Sequence, residues 1–471
     1  MMFKKTKIVA TIGPVSEKKE IIEKMIEAGM NVCRLNFSHG NYEEHLNRIK
    51  LIRAAAKKFA KPTAILQDLC GPKIRIGDFY NKSIILKEGQ HFVLTTKQCV
   101  GDEKRVYINY KNLPNEIKKG AKIMLNDGKN ELIVEKIIKG EIYCKVLVGG
   151  EIKGRRGVNF PGTFLKISSL TEKDKKDIKF GIKHKVDFMA ISFVRTAADV
   201  LELKNILKDK KTNIRVIAKI ETQEAIKNID EIIEVSDGIL VARGDLAVEE
   251  LLEYVPTFQK MIIKKSNAAG KPVITATQML ESMIKNPLPT RAEVNDVANA
   301  IIDGTDAVML SEETTLGAYP VKTVEIMTRI ARHTEEELNY EKTLLHNHLL
   351  SKSIGDSISF AIVNVAHNIG AKGIVALTET GFTARIISKY RPKQPILALT
   401  PNAKTFNQLA ISFGCHPRLM RKFKNVSEVI EVAKKMSIEH KIAKKGDKIV
   451  IAAGIPFGKA GTTNLLIVQV I

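Results

Sequence analysis

Eight short apolar runs constrain this chain more than any other feature, because each is followed by polar side chains and then by a stretch with helical spacing. The runs are Thr6–Ile12, Asn31–Phe37, Thr63–Gln67, Asp187–Ser192, Ile214–Lys219, Gly238–Val241, Pro272–Ala276 and Ala307–Met309. Between them, segments such as Lys18–Ala28, with Ile21, Ile22, Met25 and Ile26, have the period of an amphipathic helix. Further helices are expected at Tyr42–Phe59, Ala197–Lys208, Gln223–Val235, Leu251–Ala269, Ala292–Asp303 and Val321–Leu338. Alternating strands and helices call for a parallel sheet, and eight such strands close a (β/α)8 TIM barrel.

The series breaks after the third strand. From Gly71 the segments shorten and alternate with period two (Ser83–Leu86, His91–Thr95, Ala121–Leu125, Glu131–Ile138, Ile142–Leu147), which reads as a small all-β unit inserted over the catalytic face as a lid. The βα series resumes at Thr171-Glu172-Lys173-Asp174, a capping-box pattern. Beyond Tyr340, helices at Ile354–Ile369, Thr383–Lys389 and Val426–His440 alternate with strands at Gly373–Leu377, Ile396–Leu399, Lys448–Ala452 and Leu465–Val470. The expected division is barrel 1–70, lid 71–165, barrel 166–340 and C-terminal α/β domain 341–471, with nothing further after Ile471.

Composition excludes several classes. No run of about 18 apolar residues suggests a membrane span, and the apolar stretch of MMFKKTKIVATIG is too short for a signal peptide. Five scattered cysteines without CxxC spacing argue against a disulfide or zinc framework and for a cytoplasmic setting. The net charge of +23 raises nucleic acid as a partner, but the lysines are spread along amphipathic helices and no nucleic-acid motif accompanies them. They read as a solvated surface that attracts anionic substrates.

In a barrel of this kind, catalytic residues come from the C-terminal ends of the strands. Those ends carry Arg34, Asn36 and Ser38; Asp68; Ser192; Lys219 and Glu221; Arg243 and Asp245; Thr277; and Ser311. A scaffold needs no such density of polar groups. Lys219 directly follows a buried run and shares a face with Glu221 two positions on, so the pair is either a structural ion pair or an anion-and-metal site. Glu221 and Asp245, on successive strands, suit a hard divalent cation, Mg²⁺ or alternatively Mn²⁺. Gly244 permits close backbone approach, and Lys219, Arg34 and Arg75 supply positive charge for a phosphoryl group in transfer. Thr277 is either a substrate-orienting hydroxyl or the N-cap of a helix over Gln278–Met283.

The stretches ATIGP (10–14), CRLNFSHG (33–40), DLCGPKIRIG (68–77), IAKIET (217–222), ARGDLAVE (242–249), PVITATQMLESM (272–283), PTRAEVNDVANAIIDGTDAVMLS (289–311) and TARIISKYRP (383–392) resemble the pyruvate kinase family along the whole chain. The resemblance implies phosphoryl transfer from phosphoenolpyruvate to ADP, then protonation of the enolate to pyruvate. It casts Lys219 as the cation on the phosphoryl group and Glu221 and Asp245 as Mg²⁺ ligands. Arg34 then contacts substrate phosphate, while Gly244, Asp245 and Thr277 receive the carboxylate. Pro14, Asn36, His39 and Arg75 fall on the nucleotide side, and Thr277, Ser311 and Glu313 in the proton-relay region. It also implies a homotetramer.

Several positions depart from the family pattern. Its potassium site maps to Asn36, Ser38, Asp68 and the Leu69 carbonyl, but Lys73 stands where many members have Glu. The pattern resembles the branch that works without K⁺, with the ammonium of Lys73, placed with Arg75 on a short strand, serving as built-in cation; the bland reading is a surface lysine at the lid hinge. Thr196, Ala247 and Glu312 also differ from common residues. In the C-terminal unit, the turn Thr378-Glu379-Thr380-Gly381-Phe382-Thr383 maps to the family's sugar-phosphate or nucleotide effector site. Gly454–Gly461 is expected to close over it, although Glu379 works against an anion. The rival readings are a barrel lyase or aldolase acting on pyruvate or phosphoenolpyruvate, and a basic nucleic-acid-binding protein. His184, His367 and His440 read as structural.

Overall fold

The computed structural model describes residues 3–348, 353–423, 425–456 and 461–471. Eight strands, β1 (Lys7–Thr11), β2 (Val32–Asn36), β3 (Ala64–Asp68), β4 (Phe188–Ile191), β5 (Arg215–Ile220), β6 (Gly238–Ala242), β7 (Val273–Ala276) and β8 (Ala307–Leu310), close into a barrel in sequential order. Every neighbouring pair is parallel, including β1 with β8. The strands are apolar on both faces because both are covered. Val9, Val32, Leu66, Phe188, Ile217 and Leu240 fill one cluster, while Ile8, Cys33, Ile65, Val216 and Ile239 belong to another, shared with the helices. The capping box at Thr171 forms: its hydroxyl accepts the Asp174 N–H at 3.1 Å and the Asp174 carboxylate accepts the Thr171 N–H at 2.9 Å.

Three local expectations are corrected. The helix expected at Gln223–Val235 breaks at Asn228, giving Gln223–Lys227 and Ile229–Val235; the Asn228 side chain leaves the helical pattern to donate to the Arg195 carbonyl. The helix expected from Leu251 begins as a 3₁₀ turn at Leu252–Tyr254 and becomes α-helical at Val255–Ala268, with Pro256 in its first turn where no N–H is required. Lys73 does not lie on a strand. Pro72 has no N–H, the Lys73 N–H turns back to the Gly71 carbonyl at 3.0 Å, and isolated bridges at Arg75, Ile76 and Phe79 follow.

Between β3 and β4 the chain builds a six-stranded sheet and a two-stranded one around their own core, which includes Phe92, Leu94, Ile123, Leu132 and Val146. This unit meets the barrel through Asn159, whose amide donates to Glu249 at 2.8 Å. The C-terminal unit is a five-stranded sheet ordered Cys415–Leu419, Ile396–Thr400, Gly373–Leu377, Lys448–Ala453 and Leu465–Val470, with only the last strand antiparallel. The Cys415–Leu419 strand has no counterpart in the sequence reading, because its Pro417 and Arg418 break the apolar pattern. Arg391 docks this unit on the barrel: its guanidinium reaches both Asp306 oxygens, at 2.9 and 2.8 Å, and the Gly304 carbonyl at 2.6 Å. Among the described residues no helix is long and apolar enough to cross a membrane.

Candidate active site

The strand exits converge on Lys219. Its ammonium lies 2.8 Å from Glu221 and 3.5 Å from Asp68, and it donates to the Ser192 hydroxyl at 2.8 Å. Ser192 in turn donates to the Leu69 carbonyl at 2.8 Å. Burial alone would lower the Lys219 pKa, but Asp68, Glu221 and Asp245 outweigh it and hold the group firmly as an ammonium. Glu221 is buried, and its second oxygen accepts the Phe193 N–H at 2.7 Å.

Across from Lys219, Arg34 in the middle of β2 grips one oxygen of Asp68 through Nε at 2.8 Å and Nη2 at 2.7 Å. Its Nη1 donates to Thr11 at 2.9 Å. Burial works to raise the Asp68 carboxyl, yet Lys219, Arg34 and Lys73 hold it below the usual range. Asp68 is therefore a fixed anion that aims two cations at one space.

Asp245 lies in the short helix Arg243–Glu249 that follows β6. Burial and Glu221 push its carboxyl up to about 6, against Lys219 and Lys73. Two hard-oxygen anions that repel each other in a buried place fit a divalent cation, which would relieve the repulsion. Among the described residues no three His, Cys, Asp or Glu gather at metal-binding distance. A cation held by Glu221 and Asp245 would therefore complete its shell with substrate and water oxygens.

The helix expected after Thr277 is absent, and Thr277 caps nothing. Thr277 and Gln278 both have positive φ, +69° and +53°, and a 3₁₀ turn starts only at Glu281. A β-branched residue there is strained, and Arg243 holds the strain in place. Its Nε donates to the Ala276 carbonyl at 3.2 Å and its Nη2 to the Thr277 carbonyl at 2.6 Å. The Thr277 hydroxyl accepts the Gly244 N–H at 2.8 Å, which ties the β6 and β7 exits together. The β8 exit is pinned by buried Glu313, which accepts the Ser311 N–H at 2.6 Å and the Leu280 N–H at 3.2 Å.

A cleft of about 490 Å³ between barrel and inserted unit is lined by His39, Lys73, Arg75, Arg156, Asp245 and Glu312. Burial lowers the His39 pKa, and the charges of Lys73, Arg75 and Arg34 lower it further. Asn36 accepts the Ser38 N–H at 3.1 Å at the β2 exit. Pro14 is exposed, and neither it nor Ser311 lines the cleft.

Sequence reasoning gave no role to Ser192 or Arg243 and overlooked the Phe193 backbone. Ser192 and Arg243 stand at strand ends, which was the available signal; a backbone N–H leaves none.

Thr378, Thr380 and Thr383 line a separate cleft of about 200 Å³ in the C-terminal unit, and Gly381, at φ +83°, starts the helix Phe382–Lys389. Glu379 there lies 3.5 Å from Lys422. Of the segment expected to close over it, residues 457–460 lie outside the described residues.

Comparison with known proteins places this architecture. The model of the pyruvate kinase barrel domain matches residues 3–324, and that of the pyruvate kinase alpha/beta domain matches residues 356–469. The chain belongs to the pyruvate kinase family. A pyruvate kinase of Clostridium acetobutylicum is 46% identical over 470 residues, covering 99% of both chains. One from Staphylococcus aureus (strain MRSA252) is 48% identical over 471 residues, covering 99% of this chain and 80% of the relative. The crystal structure of a pyruvate kinase from Cryptosporidium parvum superposes with a TM-score of 0.94 at 38% identity, over 99% of this chain and 96% of that one. The activity is that of a phosphotransferase working between phosphoenolpyruvate and ADP, the pyruvate kinase step of glycolysis. The lyase, aldolase and nucleic-acid readings fall away with that assignment.

Proposed function

We propose that phosphoryl transfer takes place at the exits of β2, β3 and β5–β8, with Lys219 as the cation on the migrating group. The observation that carries this reading is the Lys219 ammonium, kept charged between Glu221 and Asp68 and facing the Asp68-bound Arg34. Glu221 and Asp245 would hold Mg²⁺, or Mn²⁺ in its place, and the bound ion would supply positive charge against the negative charge that develops in the transfer. Arg34 and Lys219 orient the phosphate, and both cost no reorganisation because Asp68 already fixes them. Gly244, Asp245 and Thr277 take the carboxylate end, and the strained Thr277 turn fixes the hydroxyl toward it. After transfer, Thr277 and Ser311, with Glu313 beneath them, belong to the path that delivers a proton to the enolate carbon. Arg75, His39, Asn36 and Pro14 form the nucleotide side.

Asn36, Ser38, Asp68 and the Leu69 carbonyl make up the monovalent-cation region, and Lys73 replaces K⁺ there. In support, the Lys73 charge acts on both Asp68 and Asp245, and its side chain lines a cleft together with Asp245. A tethered ammonium makes a free monovalent cation electrostatically redundant. The lysine is on a loop, so its reach rests on cleft position and not on strand geometry.

The enzyme works in the cytoplasm as a homotetramer. The Thr378–Thr383 turn takes a phosphorylated effector in competition with Glu379, which saturation curves with sugar phosphates and nucleotides test. The main test is pyruvate formation from phosphoenolpyruvate, ADP and Mg²⁺ in sodium- and potassium-free buffer, with and without added K⁺. Full turnover without K⁺ is expected. Turnover only with K⁺ would demote Lys73 to a hinge residue, and no pyruvate in either buffer would overturn the whole assignment.

A further inference from the structure

At the opposite end of the barrel from Lys219, three neighbouring strands begin beside one another. Arg215 opens β5, Asp237 directly precedes β6, and Lys271 lies two residues before β7. Lys204, from the helix Ala197–Asp209, lies 3.2 Å from Asp237. Arg385 arrives from the C-terminal unit on the helix Phe382–Lys389. Four cations thus surround one carboxylate, which is already engaged by Lys204 and by the Val216 N–H at 2.9 Å.

The geometry presses like charges together. Arg215 and Arg385 donate to the same acceptor, the Thr380 carbonyl, at 2.8 and 3.1 Å. Lys271 caps the Ser236 carbonyl at 2.6 Å. Among the described residues, no carboxylate lies within ion-pairing distance of Arg215, Lys271 or Arg385, and Nε and Nη2 of Arg385 meet no acceptor. Lys271 and Arg385 line a narrow crevice with about 10 Å³ of free space between barrel and C-terminal unit, together with Asn267, Asp306, Ser388, Lys389 and Arg391. Burial disfavours the charged forms of all three cations, and Arg215 adds to the effect on Arg385. A guanidinium does not shed its proton in a protein, so this cost persists as destabilisation until an anion arrives.

We propose that this junction binds a tetrahedral phosphate-class oxyanion, held by the open fork of Arg385 with Arg215 and Lys271. A guanidinium fork matches two oxygens of such an anion, and a lysine supplies a point charge to a third. The bound anion bridges the base of β5 and the Thr380 turn, so it fastens the C-terminal unit to the strand whose far end carries Lys219.

The test is thermal unfolding of the full chain against inorganic phosphate, and in parallel against phenyl phosphate, which asks whether a monoester enters. The active site and the Thr378–Thr383 cleft also attract phosphate, so Arg34→Gln and Lys422→Gln serve as controls. The expected result is a saturable rise in Tm in the wild type and both controls that is lost in Lys271→Gln/Arg385→Gln. Without phosphate, that double variant melts at or above the wild type, because repulsion has been removed. Arg385→Lys, which keeps the charge but not the fork, should retain only a weakened response. A response to either probe that the double variant alone loses supports the site. No response in the wild type, a response that survives in the double variant or disappears in Arg34→Gln, or a double variant that melts well below the wild type without phosphate would overturn it.

Discussion

Replacing Lys219 by Met should separate its observed balancing of buried carboxylates from the proposed stabilisation of the transferring group. The ammonium is 2.8 Å from Glu221 and 3.5 Å from Asp68. A pair at the shorter distance is worth about 1.5 kcal/mol at the dielectric of water and about 6 kcal/mol at an effective dielectric of about 20. Asp68 keeps Arg34 and Glu221 keeps the Phe193 N–H, so the loss of stability should sit at the lower end of the ~3–5 kcal/mol typical of a broken buried pair. The catalytic loss should reach at least about 10²–10³-fold in kcat, the scale of a removed transition-state donor. Metal binding should move the other way. In the free enzyme Lys219 occupies the Glu221 oxygen that a cation needs, so half-saturating Mg²⁺ should fall by about tenfold or more, about 1.4 kcal/mol. Mg²⁺ should also restore much of the lost Tm. Steady-state pyruvate formation across Mg²⁺ concentrations and thermal scans with and without Mg²⁺ read both effects. A kcat within tenfold of wild type, or Mg²⁺ binding that weakens, would refute the reasoning.

Other perturbations follow from the same geometry. Lys73→Glu should make turnover depend on K⁺, with stimulation of about tenfold or more, read by titrating K⁺ at saturating substrates. Arg391→Met leaves buried Asp306 without its partner and should destabilise the chain by about 3–5 kcal/mol, read by denaturant unfolding. His45 is buried, stacks on Phe37 at 4.0 Å, and is pushed by burial down to about 4. The unfolded chain takes up this proton near pH 6.5 and the folded chain only near 4, so the stabilisation is complete above 6.5. It drains by about 3 kcal/mol as pH falls across that window, and His45→Gln should flatten this part of the stability–pH curve.

The barrel was legible because each strand is a short, mostly apolar run buried on both faces, with polar residues gathered toward the end where it leaves the barrel. Lys219, Glu221, Asp68 and Arg34 were legible for the same reason, since a charge right after a buried run must find a partner. What stayed hidden depended on backbone geometry. Thr277 reads as either a substrate-orienting hydroxyl or a helix cap, and nothing local says that Arg243, at the exit of the neighbouring strand, holds it at positive φ. Lys73 looked strand-like until Pro72 and the return of its own N–H to Gly71 removed the pairing. The strand Cys415–Leu419 is set by its neighbour Ile396–Thr400, a long-range pairing that overrides its mixed composition.

The account rests on Glu221 and Asp245 holding the divalent ion beside Lys219. Titration of the full chain with Mn²⁺, followed by electron paramagnetic resonance without nucleotide or substrate, tests this most directly. One Mn²⁺ site per chain is expected in the wild type, lost in Glu221→Gln and in Asp245→Asn while both variants keep their folded melting transitions. Mn²⁺ bound equally well by either variant would place the metal elsewhere and contradict the proposed phosphoryl site.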